Sequence, residues 1–245
     1  MTQEEKTAEL YDHLAELRSR LVRSIIYIII GTAVAWFFYQ SLFSLLTRPM
    51  TAVMSKIGAK FLLTSFPEAF MVQIQICLVA GLIIVSPLVT LEIWGFISPA
   101  LTRNEKRPLI WCVPLAIILF ASGVALCYSI LPTAFQWFAS YIPKAAEVKP
   151  TLQHSIRFTA FMLLAFGVMF ELPVVLMLLA KVGIVDSKML RDNWRYAVVI
   201  VSIVAAMATP SNDAFTMLTM AIPVVILYFA SILLVKLIEK KHGKV

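Results

Sequence analysis

The chain has 245 residues, of which 60% are hydrophobic and only 14% charged, with a mean hydropathy of +0.88 and a formal net charge of +7. A soluble domain is closer to half apolar and a quarter charged, so this composition excludes an ordinary soluble protein and indicates a chain that folds in lipid. The basic residues are spread over several short segments without a nucleic-acid-binding motif, so we expect no nucleic-acid partner.

The first predicted element is an amphipathic helix over about residues 8–21. Its apolar stripe consists of leucines at helical spacing, namely Leu10, Leu14, Leu17 and Leu21. Asp12, Glu16 and Arg20 follow one another at four-residue spacing on another face. We expect this helix to lead directly into the first membrane span.

Stretches with few or no charges then predict six membrane-spanning helices, because a helix needs about 20 apolar residues to cross a bilayer. The predicted spans cover about residues 22–44, 69–91, 109–131, 157–180, 194–209 and 214–235. We expect Pro132 to end the third span near Leu131, since proline disrupts helix interiors. The fifth span is short, so the fifth and sixth should form a short hairpin that thins the bilayer or lies against longer helices.

The distribution of basic residues predicts the orientation. Six crossings place both termini on one side of the membrane, and that side carries 15 of the 21 Lys and Arg residues. Because basic residues are enriched in cytoplasmic loops, we expect both termini in the cytoplasm. The segment before the first span is acidic and polar, the reverse of a signal-peptide n-region, so no cleavable signal peptide is expected.

Two glutamates on this side are candidate binding residues. Glu16 lies on the amphipathic helix, and Glu105 stands in the loop WGFISPALTRNEKRPL beside Arg103, Lys106 and Arg107. In one interpretation both are solvated charges, with Glu16 paired to helical neighbours for about 0.2–0.5 kcal/mol. In the other they form a carboxylate site for a partner with adjacent arginines, since Arg binds carboxylate through two parallel hydrogen bonds that Lys cannot reproduce.

A third glutamate interrupts an apolar run. Glu171 lies in AFGVMFELPVV at 165–175 and is the one charge between Arg157 and Lys181. An ionised carboxylate facing lipid at mid-bilayer costs roughly 2.5–3.5 kcal/mol on insertion scales, so we expect it to face a concavity or a partner, or to be protonated. It either supports packing as a neutral acid bonded to another helix, or lines a wet, concave face.

Nothing in the sequence predicts catalysis or a cofactor. The three cysteines lie in apolar runs, as is typical of small packing residues, and the three histidines are scattered. We find no metal-ligand spacing, Gly-rich phosphate loop or nucleophile elbow. The expectation is therefore a protein that is not an enzyme and holds no metal or other cofactor.

Five strings, in order along nearly the whole chain, resemble those of one protein family. They are HLAELRSRL at 13–21, TSFPEAF at 64–70, FISPAL at 96–101 followed by Glu105, FGVMFELP at 166–173 and TPSND at 209–213. This set is similar to the TatC family, the multi-spanning receptor of the twin-arginine protein translocase. In one departure, Phe229 follows Tyr228 where many members carry a glutamate.

The resemblance implies a function. Members bind the twin-arginine signal peptide of folded precursors at the cytoplasmic face of a bacterial inner membrane. They export the cargo with the single-span proteins TatA and TatB, driven by the proton-motive force. Further copies of the chain and membrane lipid are the other implied partners.

The resemblance also implies residue roles. Glu16 and Glu105 would bind the arginine pair, while the surrounding surface would be shaped by Arg18, Phe96, Pro99, Leu101 and Arg107. Pro49 and Pro87 would shape helix ends. Glu68 would be structural at the start of the second helix, Glu171 would be the intramembrane polar residue that docks partners, and Asp213 would be the acid of the last outer turn.

Two other function classes fit the sequence less well. A small-solute secondary transporter should show internal repeats and broken helices around a mid-membrane site, and we find no convincing repeat. A membrane protease needs a Ser/His, paired-Asp or metal constellation, and the predicted spans contain no Asp. A test of signal peptides carrying Arg-Arg against Lys-Lys separates a receptor from a solute transporter.

Overall fold

The computed structural model describes residues 3–97, 112–143, 149–209 and 213–241. These residues form nine α-helices: α1 (Gln3–Phe37), α2 (Tyr39–Ile57), α3 (Phe66–Ile97), α4 (Cys112–Ser140), α5 (Leu152–Met169), α6 (Leu172–Val182), α7 (Ser187–Asp192), α8 (Trp194–Ala208) and α9 (Ala214–Lys241). The extended pairing within them is an isolated bridge between Leu62 and Thr151. The predicted all-α class is confirmed.

The membrane architecture also follows the prediction. Five helical segments are long and apolar enough to span a bilayer: Leu14–Phe37, Phe66–Ile93, Val113–Ser140, Leu152–Lys181 and Ala214–Leu237. The remaining apolar helix, α8, has 15 residues. At 1.5 Å per residue it reaches about 22 Å, less than a hydrocarbon core of about 30 Å. The predicted short fifth span therefore corresponds to α8.

The first helix differs from the prediction in its extent. The amphipathic segment and the first span form one continuous helix, α1, that ends at Phe37 rather than near residue 44. Phe38 leaves helical geometry at φ −104° and ψ 14°, and α2 begins at Tyr39. The sequence WFFYQ contains neither proline nor glycine at this break, so no local signal marked it. The amphipathic α2 instead buries one face, including Leu46 and Met50, against the bundle.

The third predicted span continues past its proline. α4 runs through Pro132 to Ser140 instead of ending near Leu131. Proline removes one backbone hydrogen bond from a helix, but packing on both sides of the site can hold such a helix together. Leu131 and Ala134 are both buried, and beyond them the Trp137 ring stacks on Phe215 with centroids 4.7 Å apart. These contacts explain why the helix does not stop.

The α1 and α3 helices cross in close contact where Gly31 meets Gly81. A Cβ placed on Gly81 would lie 2.5 Å from the backbone nitrogen of Thr32, and one on Gly31 would lie 2.9 Å from the carbonyl oxygen of Gly81. Small residues of this kind let membrane helices approach backbone to backbone. The antiparallel contact brings the beginning of α1 beside the end of α3, where the charged residues of the candidate site lie.

Candidate functional site

The site begins with Glu16 on α1. Its Oε1 accepts two hydrogen bonds from the guanidinium of Arg20, one turn later: 2.9 Å from Nε and 2.6 Å from Nη2. The Glu16 side chain keeps 30% of its surface exposed. Among the described residues, both of its hydrogen bonds end on Oε1, and none ends on the second carboxylate oxygen.

Arg20 also contacts a carboxylate on the neighbouring helix. Its Nη1 donates to Oε2 of Glu92 on α3 at 3.2 Å. Arg23 Nη2 lies 3.4 Å from the same oxygen, and the Tyr27 hydroxyl donates to Oε1 of Glu92 at 3.4 Å. Glu92 is 8% exposed. Glu16, Arg20, Arg23 and Glu92 thus form a four-charge cluster with a formal charge of zero.

Sequence reasoning predicted Glu16 but missed Glu92. One signal was available, because Glu92 is the first charge after the uncharged run 69–91 and acids at a membrane boundary rarely lack a partner. Its partner was harder to predict, since Arg20 lies 72 residues away in the chain. Only the close contact of α1 and α3 brings the two together.

The other predicted signal-binding residues divide into two groups. Arg18 is exposed on α1, and Phe96 is partly buried near the end of α3. The remaining ones lie outside the described residues: Glu105, Pro99, Leu101 and Arg107. Of the two expected acids, the structure describes Glu16 but not Glu105, so it does not test the distance between them.

Glu171 lies at a break in the fourth span, between α5 and α6. Pro173, the second residue of α6, has no N–H to offer the previous turn, while the carbonyl of Glu171 accepts from the amides of Val174 and Val175, both at 3.0 Å. The Glu171 residue is partly exposed, but its Oε1 is buried and has no hydrogen-bond partner among the described residues. Leaving such an atom unpaired costs free energy, which marks Glu171 as a residue that packing alone does not explain.

Glu68 holds together the loop before α3. Its Oε2 accepts from the backbone amide of Thr64 at 2.5 Å and from the Thr64 hydroxyl at 2.7 Å, while Oε1 accepts from the amide of Gln153 at 3.2 Å. Beside it, the Leu62 amide donates to the Pro150 carbonyl at 3.0 Å, and the Leu62 carbonyl accepts from the amide of Leu152, the first residue of α5, at 3.1 Å. Glu68 is 3% exposed, and its contacts connect the start of α3 to the start of α5.

The implied role of two prolines at helix ends is wrong. Pro49 lies inside α2 and Pro87 lies inside α3. Each leaves the carbonyl four residues earlier without its usual amide donor. The Tyr128 hydroxyl donates to the Leu45 carbonyl at 2.9 Å, and the Ser86 hydroxyl donates to the Ile83 carbonyl at 2.8 Å. Side-chain donors therefore replace the missing bonds, which allows both helices to continue.

Asp213 caps the last helix. Its Oδ1 accepts from the backbone amide of Thr216 at 2.9 Å, and its Oδ2 accepts from the Thr216 hydroxyl. A carboxylate at this position satisfies an amide that the first turn leaves unpaired. The acid of the TPSND turn thus contributes to the beginning of α9, while Pro210, Ser211 and Asn212 lie outside the described residues.

Comparisons with known proteins agree with this architecture. The family model described as "Sec-independent protein translocase protein (TatC)" matches residues 12–223. A protein of that name from Desulforapulum autotrophicum is 39% identical over 242 residues, covering 98% of this chain and 89% of the relative. Another from Carboxydothermus hydrogenoformans is 33% identical over 240 residues, covering 98% and 97%.

A solved structure is similar over almost its full length. The crystal structure of the twin arginine translocase receptor TatC superposes with a TM-score of 0.79 at 34% identity, covering 92% of this chain and 98% of that one. The matches therefore extend across all the spans and the charged cluster, and the family's role is transport rather than catalysis. This chain belongs to the TatC family of Sec-independent protein translocase components.

Proposed function

We propose that this chain is the core receptor of a twin-arginine translocase in a bacterial inner membrane, with both termini in the cytoplasm. It binds the twin-arginine signal peptide of folded precursors at the cytoplasmic face. Together with single-span partners of the TatA and TatB type, it exports them using the proton-motive force. The excess of Lys and Arg on the side of the termini supports this orientation.

One observation carries the receptor proposal. Glu16 presents a partly exposed carboxylate whose second oxygen accepts no hydrogen bond from the described residues, beside the end of α3. A guanidinium can donate two N–H groups to that one oxygen, as Arg20 does to Oε1, whereas an ammonium acts as a point charge. With Glu105 as the second acid, the site would prefer a pair of arginines over a pair of lysines.

Peptide binding tests this function directly. We expect the protein in lipid nanodiscs to bind a synthetic signal peptide carrying Arg-Arg about tenfold more tightly than the same peptide carrying Lys-Lys, because the guanidinium makes more charge-assisted hydrogen bonds to the acids of the site. Glu16→Gln and Glu105→Gln should each remove most of this preference. Asp192→Asn, at an exposed acid on α7, is the matched control. Equal binding of both peptides by the unmodified protein would refute the receptor role.

Glu171 is proposed to contact the single-span partners. Its buried oxygen at the helix break, which has no hydrogen-bond partner among the described residues, supports this role, because a polar group within a membrane is usually retained for function. Crosslinking from position 171 to the TatA-type and TatB-type helices should exceed crosslinking from the exposed Ile203 on α8, and equal yields from both positions would contradict the docking role.

A further inference from the structure

The guanidinium of Arg20 contacts two carboxylates from different helices. Nε and Nη2 both donate to Oε1 of Glu16, and Nη1 donates to Oε2 of Glu92. An arginine free to pair with one carboxylate prefers two parallel bonds, one to each oxygen. Here the contact to Glu92 uses the third nitrogen, and both bonds to Glu16 end on a single oxygen.

The guanidinium is also confined sterically. A Cβ placed on Gly95 would lie 1.9 Å from Arg20 Nη1 and 2.6 Å from its Cζ. The guanidinium therefore packs directly on the backbone of α3, in space that only glycine leaves open. Glu92 and Gly95 are three residues apart on α3, so they lie on the same face of that helix and hold Arg20 together.

The charges show why this confinement matters for an arginine-binding site. Arg20 is a cation beside the acid that should receive another cation, and alone it would compete for Glu16. Glu92 offsets the charge of Arg20 and draws one of its nitrogens away. Without Glu92, the guanidinium would be free to form the parallel pair with both oxygens of Glu16 and close the site.

We propose that Glu92 is a positioning residue for the arginine-binding site: through Arg20, it keeps one oxygen of Glu16 available to a guanidinium of the signal peptide. This inference rests on the proposed receptor function. Glu92 itself does not touch the peptide. Its effect is on the geometry and charge around Glu16, and it therefore determines how well the site distinguishes arginine from lysine.

The first test is Glu92→Gln, which preserves the shape of the side chain and removes its charge. We expect the affinity for the Arg-Arg peptide to fall about tenfold, as for the loss of one charge-assisted contact, and the preference over Lys-Lys to fall with it. If Glu92 had a purely structural role, its loss would weaken the binding of both peptides by the same factor. An Arg-Arg affinity and a preference within about twofold of the unmodified protein would overturn the proposal.

Two further variants exclude a simple loss of packing. In Arg20→Gln/Glu92→Gln, the competitor and its partner are both removed, so the Arg-Arg affinity should return to within about threefold of the original value. Gly95→Ala retains every charge and favours the helix, but its methyl group displaces the guanidinium, so the arginine preference should fall. The proposal would be contradicted if the double variant bound the Arg-Arg peptide as weakly as Glu92→Gln does. It would also be contradicted if Gly95→Ala kept the full preference for Arg-Arg over Lys-Lys.

The same titrations separate the two proposals. If the unmodified protein binds Arg-Arg and Lys-Lys peptides equally, the receptor function itself fails. If it prefers Arg-Arg and loses that preference in Glu16→Gln but not in Glu92→Gln, the receptor function stands and the role of Glu92 is refuted.

Discussion

The Tyr128 hydroxyl on α4 donates a hydrogen bond of 2.9 Å to the Leu45 carbonyl on α2. Leu45 is the residue whose carbonyl Pro49 leaves without an amide donor. A side chain from one helix thus satisfies the backbone of another at the point where a proline interrupts it. The contact also fixes α2 against α4.

Tyr128→Phe should destabilise the protein by about 0.5–1.5 kcal/mol, the net contribution of a typical hydrogen bond. The effect should shrink in the background of Pro49→Ala, because alanine at this position restores an amide that can donate to the same carbonyl. Thermal unfolding in detergent, compared across the four proteins of this cycle, measures the coupling. Tyr141→Phe, at an exposed tyrosine, is the control. Equal costs in both backgrounds would show that the hydroxyl does not replace the proline's missing bond.

Glu68→Ala should cost more, about 2–4 kcal/mol, because three hydrogen bonds to a buried carboxylate disappear together. Thr64→Val removes only the hydroxyl bond and should cost about 1 kcal/mol. The loss should be local, so proteolysis of the segment before α3 should accelerate before global unfolding does. Asp192→Ala, at an exposed acid, should leave both measurements unchanged. If protease cleaves the segment before α3 as slowly in Glu68→Ala as in the unmodified protein, Glu68 does not hold that segment in place.

Alanine should affect the stability of the protein differently at two glycines of α3. Gly81→Ala places a methyl group 2.5 Å from the backbone of α1. Because the backbone cannot shift without disturbing the helix, this substitution should destabilise the protein by about 1–3 kcal/mol. Gly95→Ala meets the end of a flexible arginine, so stability should hold while peptide selectivity changes. Thermal unfolding of both variants measures this difference in stability. A Gly81→Ala protein as stable as Gly95→Ala would refute the close contact of α1 and α3.

The sequence predicted those features that depend on composition and local pattern. The apolar stretches predicted the membrane class and the short fifth span, and the acid of the N-terminal helix was identified as a candidate. What it did not predict depends on contacts distant in the chain. Pro132 fails to end α4 because buried residues hold both sides of it. The same reason explains Pro49, which Tyr128 supports from another helix.

The functional site shows the same division. The spacing placed Glu16 on the N-terminal helix with Arg20 one turn later, whereas its role in binding came from the resemblance and stays a prediction. Glu92 was missed because its role arises from Arg20, 72 residues away. An isolated carboxylate at the end of a span gives no indication of which cation it holds until the α1 and α3 helices are placed side by side.

Replacing Glu171 by leucine should raise the stability of the protein and lower its transport activity. Its Oε1 is buried without a partner among the described residues, so Glu171→Leu removes an unpaired polar group and should stabilise the protein by about 1–3 kcal/mol. If the carboxylate docks a partner helix, the same substitution should reduce export of a folded reporter and crosslinking to the single-span partners. Glu171→Gln, which keeps the shape and a hydrogen-bonding group, should lose less transport than Leu. Thermal unfolding, export and crosslinking measured on the same variants separate the outcomes. Transport and crosslinking at the original level in Glu171→Leu would remove the docking role, whereas a loss of stability would mean that the carboxylate is held by the fold itself.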